Sequence, residues 1–486
     1  MAQAGSIHIP HSNARPNPPA VRRRRLDQPA VIKPPPIQRR LIPRKFQKLF
    51  LSSDATTLFL LAAQVDDVPT VQRLVGKGVN IDFCPGNGGT ALMAAARAGS
   101  HNVLQWLLNN GADKELTTLD GMNALHFACA NGKQHAAQVL LTSAANVMAR
   151  TTDLLQTPLH LAVASGDLGT VRLLVEHGAS INAVDSHGWT ALTSAINKRD
   201  LPIAAYLLER GTHILTDDLH QAAGIGDLDL VVLLLDHGAD VSAIVTQQQP
   251  GFTALHVASR DGNVQVAKVL LDRGADPTAT TGSGHTPLHF ACFAGSTDLV
   301  RLLLGRGVEI EAKANDGATA LHIAARHPTS TALIPLLLHR GADVSALTNR
   351  RQTALHELLS NPRNDIATLV SPVLEHGVDV NANMHGQVTA LHLAAKNSDE
   401  AAVKLLLSRG ADVNSQSDEG RTPLHYAIGG EESTRLERVQ SLLEHGADVA
   451  AKDNLGKTAM DYAEELGDLG VRDAIESTNR RQHVSP

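Results

Sequence analysis

The chain is 486 residues long, carries a formal net charge of −6, and is 43% hydrophobic but only 3% aromatic, with three cysteines. Three cysteines exclude a disulfide framework. With no uncharged apolar run of about 18 residues and no apolar leader, the expectation is a soluble intracellular protein, nuclear or cytoplasmic or both, with a core of small and aliphatic side chains.

The first 50 residues hold eleven Lys and Arg against the single acid Asp27, a balance of +10, which leaves −16 for the remainder. Nine prolines, among them Pro34, Pro35 and Pro36, interrupt any helix there, so residues 1–45 are predicted to be a disordered basic arm with short polyproline II segments. Three readings of the arm stand side by side. Arg22, Arg23, Arg24 and Arg25, backed by Arg39 and Arg40, suit a nuclear-import signal, which needs only exposed cations in an extended segment. A mitochondrial transit peptide needs an amphipathic helix, which the prolines oppose. A solvated tail with no address is the third.

Beyond the arm the chain repeats itself, and residues 286–310, TPLHFACFAGSTDLVRLLLGRGVEI, show the unit most clearly. Thr286 is a good N-cap, Pro287 fits the first helical position, and Gly295 supplies a stop for a short helix with a small apolar face at Leu288, Ala291 and Cys292. A second helix follows with Leu299, Val300, Leu302, Leu303 and Leu304, and Gly307 ends it. One such pair leaves both apolar faces uncovered; stacked copies cover them. Taking the Thr286 position as a marker, copies begin at Thr57, Thr90, Asn123, Thr157, Thr190, Asp217, Thr253, Thr286, Thr319, Thr353, Thr389, Thr422 and Thr458.

Seven copies read Thr-[Pro/Ala]-Leu-His, at a spacing close to 33 residues, and most close on a phrase such as Gly238-Ala239-Asp240-Val241. In these features the chain resembles the ankyrin-repeat family from about residue 54 to 477. The resemblance implies an all-α fold, an α-solenoid of helix pairs joined by β-hairpin-like fingers, and a role in binding other proteins. Repeats 1–5 are expected in residues 46–216 and repeats 6–13 in residues 217–477, with a disordered tail at 478–486. The first copy has lost the Pro-Leu-His phrase and reads as an N-terminal cap; Phe46, Leu49, Phe50 and Leu51 are placed to cover its open end. Between Thr190 and Asp217 the spacing falls to 27, which predicts a missing finger, with residues 212–218 as a tight connection and a local break in the superhelix. Inserts at Gln247, Gln248 and Gln249, at residues 361–365 and at residues 431–434 fall in loops, where length costs little. The last copy replaces the usual His with Asp461 and carries extra charge, as a C-terminal cap needs.

Twenty-four histidines invite a metal or catalytic site. Nine of them, from His126 to His425, share one repeat position, where an imidazole can bond the N-cap hydroxyl and a neighbouring backbone; His177, His237, His376 and His445 stand beside the Gly that ends a second helix, where a partly charged ring is favoured. Cys129 and Cys292 share a core position, and HExxH, CxxC, GxxxxGK[ST] and GxSxG are all missing from the sequence. No catalytic residue, cofactor, metal or small-molecule substrate is predicted, no membrane attachment, and an acidic body disfavours nucleic acid.

In the resembled family, partners are held along the fingers and the exposed ends of the first helices. Carried over by position, seven or eight residues after each marker, this gives Arg97, Asn131, Lys198, Arg260, Asp261, Phe293, Arg326, His327 and Lys396. The expected groove is a basic stripe for an acidic segment of a partner, with Trp189 and Phe252, each one residue before a marker, as aromatic anchors; solvated surface side chains are the competing reading. The chain is thus expected to be a non-catalytic scaffold or adaptor, with a nuclear transcriptional co-regulator favoured by the arginine cluster. The alternative is an accessory or substrate-recognition subunit of an enzyme complex.

Overall fold

The structure, a computed structural model, describes residues 55–482 except 87–88, 246–249, 328–331, 361–365, 398–399 and 431. The basic arm, with Arg22 to Arg25 and the residues expected to cover the first repeat, lies outside the described residues, as does the glutamine insert.

Twenty-six α-helices are described, as thirteen consecutive pairs from Ala55–Gln64 with Val68–Val75 to Ala459–Leu466 with Leu469–Gln482. The central pair shows why the sequence folds this way. Pro287–Ala294 starts after Thr286, whose extended backbone and hydroxyl cap the first turn, and stops at Gly295, held at φ 74 in the left-handed region that glycine tolerates. Thr297–Gly305 follows, capped by the Ser296 hydroxyl, which accepts from the Leu299 amide at 3.4 Å. Leu288, Ala291, Cys292, Leu299, Val300 and Leu303 are buried in one core continuous from Phe59 to Ile475. At roughly 25 cal/mol per Å² of apolar surface, only stacking against both neighbours supplies enough burial to hold such short helices.

The fingers pair with one another in a ladder of backbone hydrogen bonds. Most carry a tight turn such as that over residues 314–318, closed by Ala314 N–H to Ala318 C=O and by Gly317 N–H to Ala314 C=O, both at 2.9 Å. The next finger then donates to the previous one: Gly282 to Pro250, Asn315 to Ser283, Asn349 to Asp316, His385 to Arg350, Asp418 to Gly386 and Asn454 to Glu419, all at 2.7–3.1 Å. Gly317 must be glycine here, since φ is 79 and a Cβ would stand 2.8 Å from the Asn349 nitrogen.

The nine shared histidines tie the layers together. The Thr286 amide donates to His289 Nδ1 at 3.1 Å, the Thr286 hydroxyl lies 2.8 Å from the same nitrogen, and His289 Nε2 donates to the Ala318 carbonyl of the next unit at 3.1 Å. Nδ1 must therefore be the acceptor and Nε2 must carry the proton, so the ring is neutral. His160, His256, His322, His392 and His425 repeat the arrangement. At the other helix end the tautomer is reversed: His177, His237, His376 and His445 donate from Nδ1 to the carbonyl four residues back at 2.8–2.9 Å.

Three boundaries differ from expectation. Thr57 is not a cap, because its helix already begins at Ala55. The sixth pair is capped at Leu215 and begins at Thr216, so Asp217 and Asp218 lie inside a first helix of ten residues, against eight in the pair before it; the chain uses the missing finger's residues to extend the helix backwards. The last helix runs on to Gln482, so residues 478–482, expected in a tail, continue its final turns.

Candidate partner-binding face

The residues seven and eight positions after each marker sit at the C-terminal ends of the first helices, where the helix has left the layer core and its side chains point past the packed turn. Arg97 is exposed on the last turn of Ala91–Ala98, and Lys396 is exposed on Ala390–Asn397; neither makes an ion pair among the described residues. Asn131 caps Ala124–Ala130 and donates from Nδ2 to the Phe127 carbonyl at 2.8 Å. Lys198 donates from Nζ to the Ala164 carbonyl of the preceding unit.

The middle of the row is less free than its charges suggest. Arg260 is clamped by its own neighbour Asp261, with Nε 3.0 Å and Nη2 3.1 Å from the two carboxylate oxygens. Arg326 bridges two acids, reaching Asp316 at 3.2 Å and the buried Glu357 at 2.8 Å. Burial pulls the Arg326 guanidinium down, but Glu357 and Asp316 outweigh it and hold the group above its ordinary value. Between these arginines in the repeat order Phe293 is 39% exposed, its ring 4.2 Å from that of His327 in an edge-on arrangement. The observed face is therefore two internally neutralised arginines flanking an aromatic pair, with free cations farther out at Arg97 and Lys396.

The two expected fingertip anchors separate. Trp189 is 41% exposed; its amide donates to Asp185 Oδ1 at 3.0 Å and its carbonyl accepts from His160 Nε2, so the backbone is fixed while the indole, 5.4 Å from the His187 ring, is partly open to solvent. Phe252 is only 9% exposed and is not an available anchor. Its main chain pairs with Val245, which turns the ring inward to lie 5.0 Å from Phe290 and 5.6 Å from His256.

Two groups were missed in sequence and were findable there. Glu357 occupies a register position held by Leu161, Val257, Phe290, Ile323 and Leu393 in sister units, and a lone acid at an apolar position announces a buried partner. Thr193 stands where the shared histidine belongs. With the next finger gone there is no carbonyl for an imidazole to reach, and the Thr193 hydroxyl instead donates at 2.7 Å to Asp218, which also accepts from the Leu215 amide at 2.8 Å. Burial pushes the Asp218 carboxyl above its ordinary value, against these two hydrogen bonds. Among the described residues no group of three or more His, Cys, Asp or Glu is placed to hold a metal ion, and no helix is long and apolar enough to cross a membrane.

Comparison with known proteins agrees with this architecture. A profile of three ankyrin repeats matches residues 59–151, 148–218, 219–281, 274–348, 321–417 and 391–475. The chain is similar to the nuclear factor NF-kappa-B p105 subunit of Gallus gallus, 35% identical over 121 residues that make up 23% of this chain and 12% of that protein. It is similar to the B-cell lymphoma 3 protein homolog of Mus musculus, 40% identical over 102 residues, 19% of this chain and 23% of that one. Among solved structures, the human ASB11 ankyrin repeat domain aligns with a TM-score of 0.41 at 26% identity, covering 45% of this chain and 98% of that domain. The matched stretch is thus under a quarter of the length of either curated relative. With helix pairs, finger ladder and profile matches in register along nearly the whole described chain, the protein belongs to the ankyrin-repeat family.

Proposed function

We propose that this chain is a non-catalytic scaffold that holds other proteins along the ends of its first helices, and that it works as a transcriptional co-regulator in the nucleus. The observation that carries the binding reading is the exposed Phe293, its ring edge-on to the half-buried His327, an aromatic surface open to water at the middle of the array where the sister units carry Arg97, Ala130, Ala164, Arg260 or Lys396 at Phe293's own position. Arg97, Lys198 and Lys396 extend it with cations, which suits a partner segment that is acidic with an apolar anchor. The nuclear reading is supported by Arg22 to Arg25 and by resemblance to a relative named as a nuclear factor.

The groove test uses side chains that packing does not need. Phe293→Ala, and separately Arg97→Glu with Lys396→Glu, should each lower recovery of co-purified partners several-fold at low salt while leaving circular dichroism and melting unchanged. Unchanged recovery removes the groove assignment. For the compartment, deletion of residues 1–45 in a fluorescent fusion should shift the protein from nucleus to cytoplasm; an unaltered distribution removes the nuclear reading and leaves the scaffold reading intact.

A further inference from the structure

The missing finger leaves a notch. In every pairing of described adjacent fingers from Pro250 onward, the carbonyl at one fingertip accepts an N–H from the next, and the same bonds run from Thr152 to Asp120 and from Ser186 to Leu154. At the next step the ladder stops. The chain has only residues 210–215 between helices, and the carbonyl of His187, which stands where Asp120 and Leu154 stood, accepts no backbone N–H among the described residues. The notch has an aromatic wall, since Trp189 is exposed where Gln156, His285, Gln352 and Lys457, at the same position before a marker, are half-buried or buried. The stretch that follows it is acidic: from Gly211 to Ser259 there is no Lys or Arg and there are six aspartates, of which Asp217 is exposed at the first turn of the lengthened helix, Asp218 is buried against Thr193 and Asp236 is paired with Arg273; on the near side Arg199 donates from Nη2 to the Ile225 carbonyl at 3.0 Å. Gln221, one turn beyond Asp217, has a buried side-chain oxygen without a partner among the described residues.

These features fit an extended, cationic segment: backbone N–H groups for an unanswered carbonyl, and a guanidinium for an indole face beside carboxylates. The chain contains such a segment. Residues 1–50 carry +10 against −16 for the remainder, and the prolines favour an extended backbone. Reach is sufficient: the thirty residues from Arg25 to Ala55 span up to roughly 100 Å when extended, while about five layers at 8–10 Å each put the notch roughly 45 Å from the first pair. We propose that the basic arm docks intramolecularly in the notch of the missing finger, with an arginine over Trp189.

The chain has two tryptophans, Trp106 and Trp189, so full-length protein carrying Trp106→Phe reports on Trp189 alone. Acrylamide quenching of that indole is compared with the same protein carrying R22E, R23E, R24E and R25E. At low salt the arm should protect Trp189, so the reversed arm should raise the quenching constant by about twofold, and about 0.5 M salt should raise it equally in the unreversed chain by screening the contact. Asp217→Lys, at an exposed position, should act in the same direction by a smaller factor. Equal quenching in the two chains at low salt overturns the proposal. So does protection that salt does not relieve, and so does protection that grows with protein concentration, which would place the arm on a second copy.

Discussion

The neutral histidines make the array acid-sensitive in a way that can be worked from the structure. Burial holds His126, His256, His289 and His356 down to about 4 from the ordinary 6.5, partly offset by the carbonyls their Nε2 atoms meet. Protonation would put a charge in the core and turn Nδ1, which accepts the N-cap amide, into a donor. The sign is then fixed. A group whose value is depressed in the folded chain contributes stability that is complete above 6.5 and is lost as the pH falls toward about 4, because the unfolded chain takes up protons first. At pH 5 relative to pH 7 each such ring costs about 2 kcal/mol, and the four together about 8 kcal/mol. That is comparable to the whole stability of an ordinary domain, about 5–15 kcal/mol. Asp218 works in the opposite direction, its raised value adding stability as acid protonates it, but it is one group against four. Three of the four rings, His256, His289 and His356, lie in the second half of the array, so that half should melt first, as a chain of nearest-neighbour layers allows. Urea titrations followed by circular dichroism at the two pH values measure the loss directly. Equal midpoints at pH 5 and pH 7, or native imidazoles titrating near 6.5 by NMR, would refute the reasoning.

Further outcomes are expected at single sites. Thr193→Val removes the donor that holds buried Asp218 across the missing finger, and melting should show a loss of about 1–3 kcal/mol; a loss near zero would mean the contact is idle. Gly430→Ala would bring a Cβ closer than van der Waals contact to the Lys396 carbonyl and 2.6 Å from Arg438 Nη2, at a cost of about 1–3 kcal/mol, read as faster proteolysis around the last repeats. Arg326→Glu should cost about 3 kcal/mol by setting a carboxylate against Asp316 and buried Glu357, whereas Arg97→Glu should stay within about 0.5 kcal/mol of the parent in the same denaturation assay.

The fold was legible because its information is local and repeated. Thr286, Pro287 and Gly295 each act within one helix turn, and thirteen edited copies confirm one another. What sequence could not supply was pairing between units. Arg260 and Arg326 counted as free cations until Asp261 and Glu357 were seen beside them, and Phe252 counted as an anchor until its pairing with Val245 turned the ring onto Phe290. The shortened spacing before Asp217 gave the missing finger correctly but not its use, because lengthening a helix backwards to Leu215 and replacing an imidazole by a Thr193–Asp218 bond are both compensations made across the gap.

The central claim, that partners lie on the ends of the first helices, is tested most directly by site-specific photo-crosslinking in cells. A photoreactive residue at Phe293 should trap partner protein, and the same residue at Arg301, exposed on the second helix of that unit, should trap far less. Equal trapping at both positions, or trapping at Arg301 alone, would contradict it.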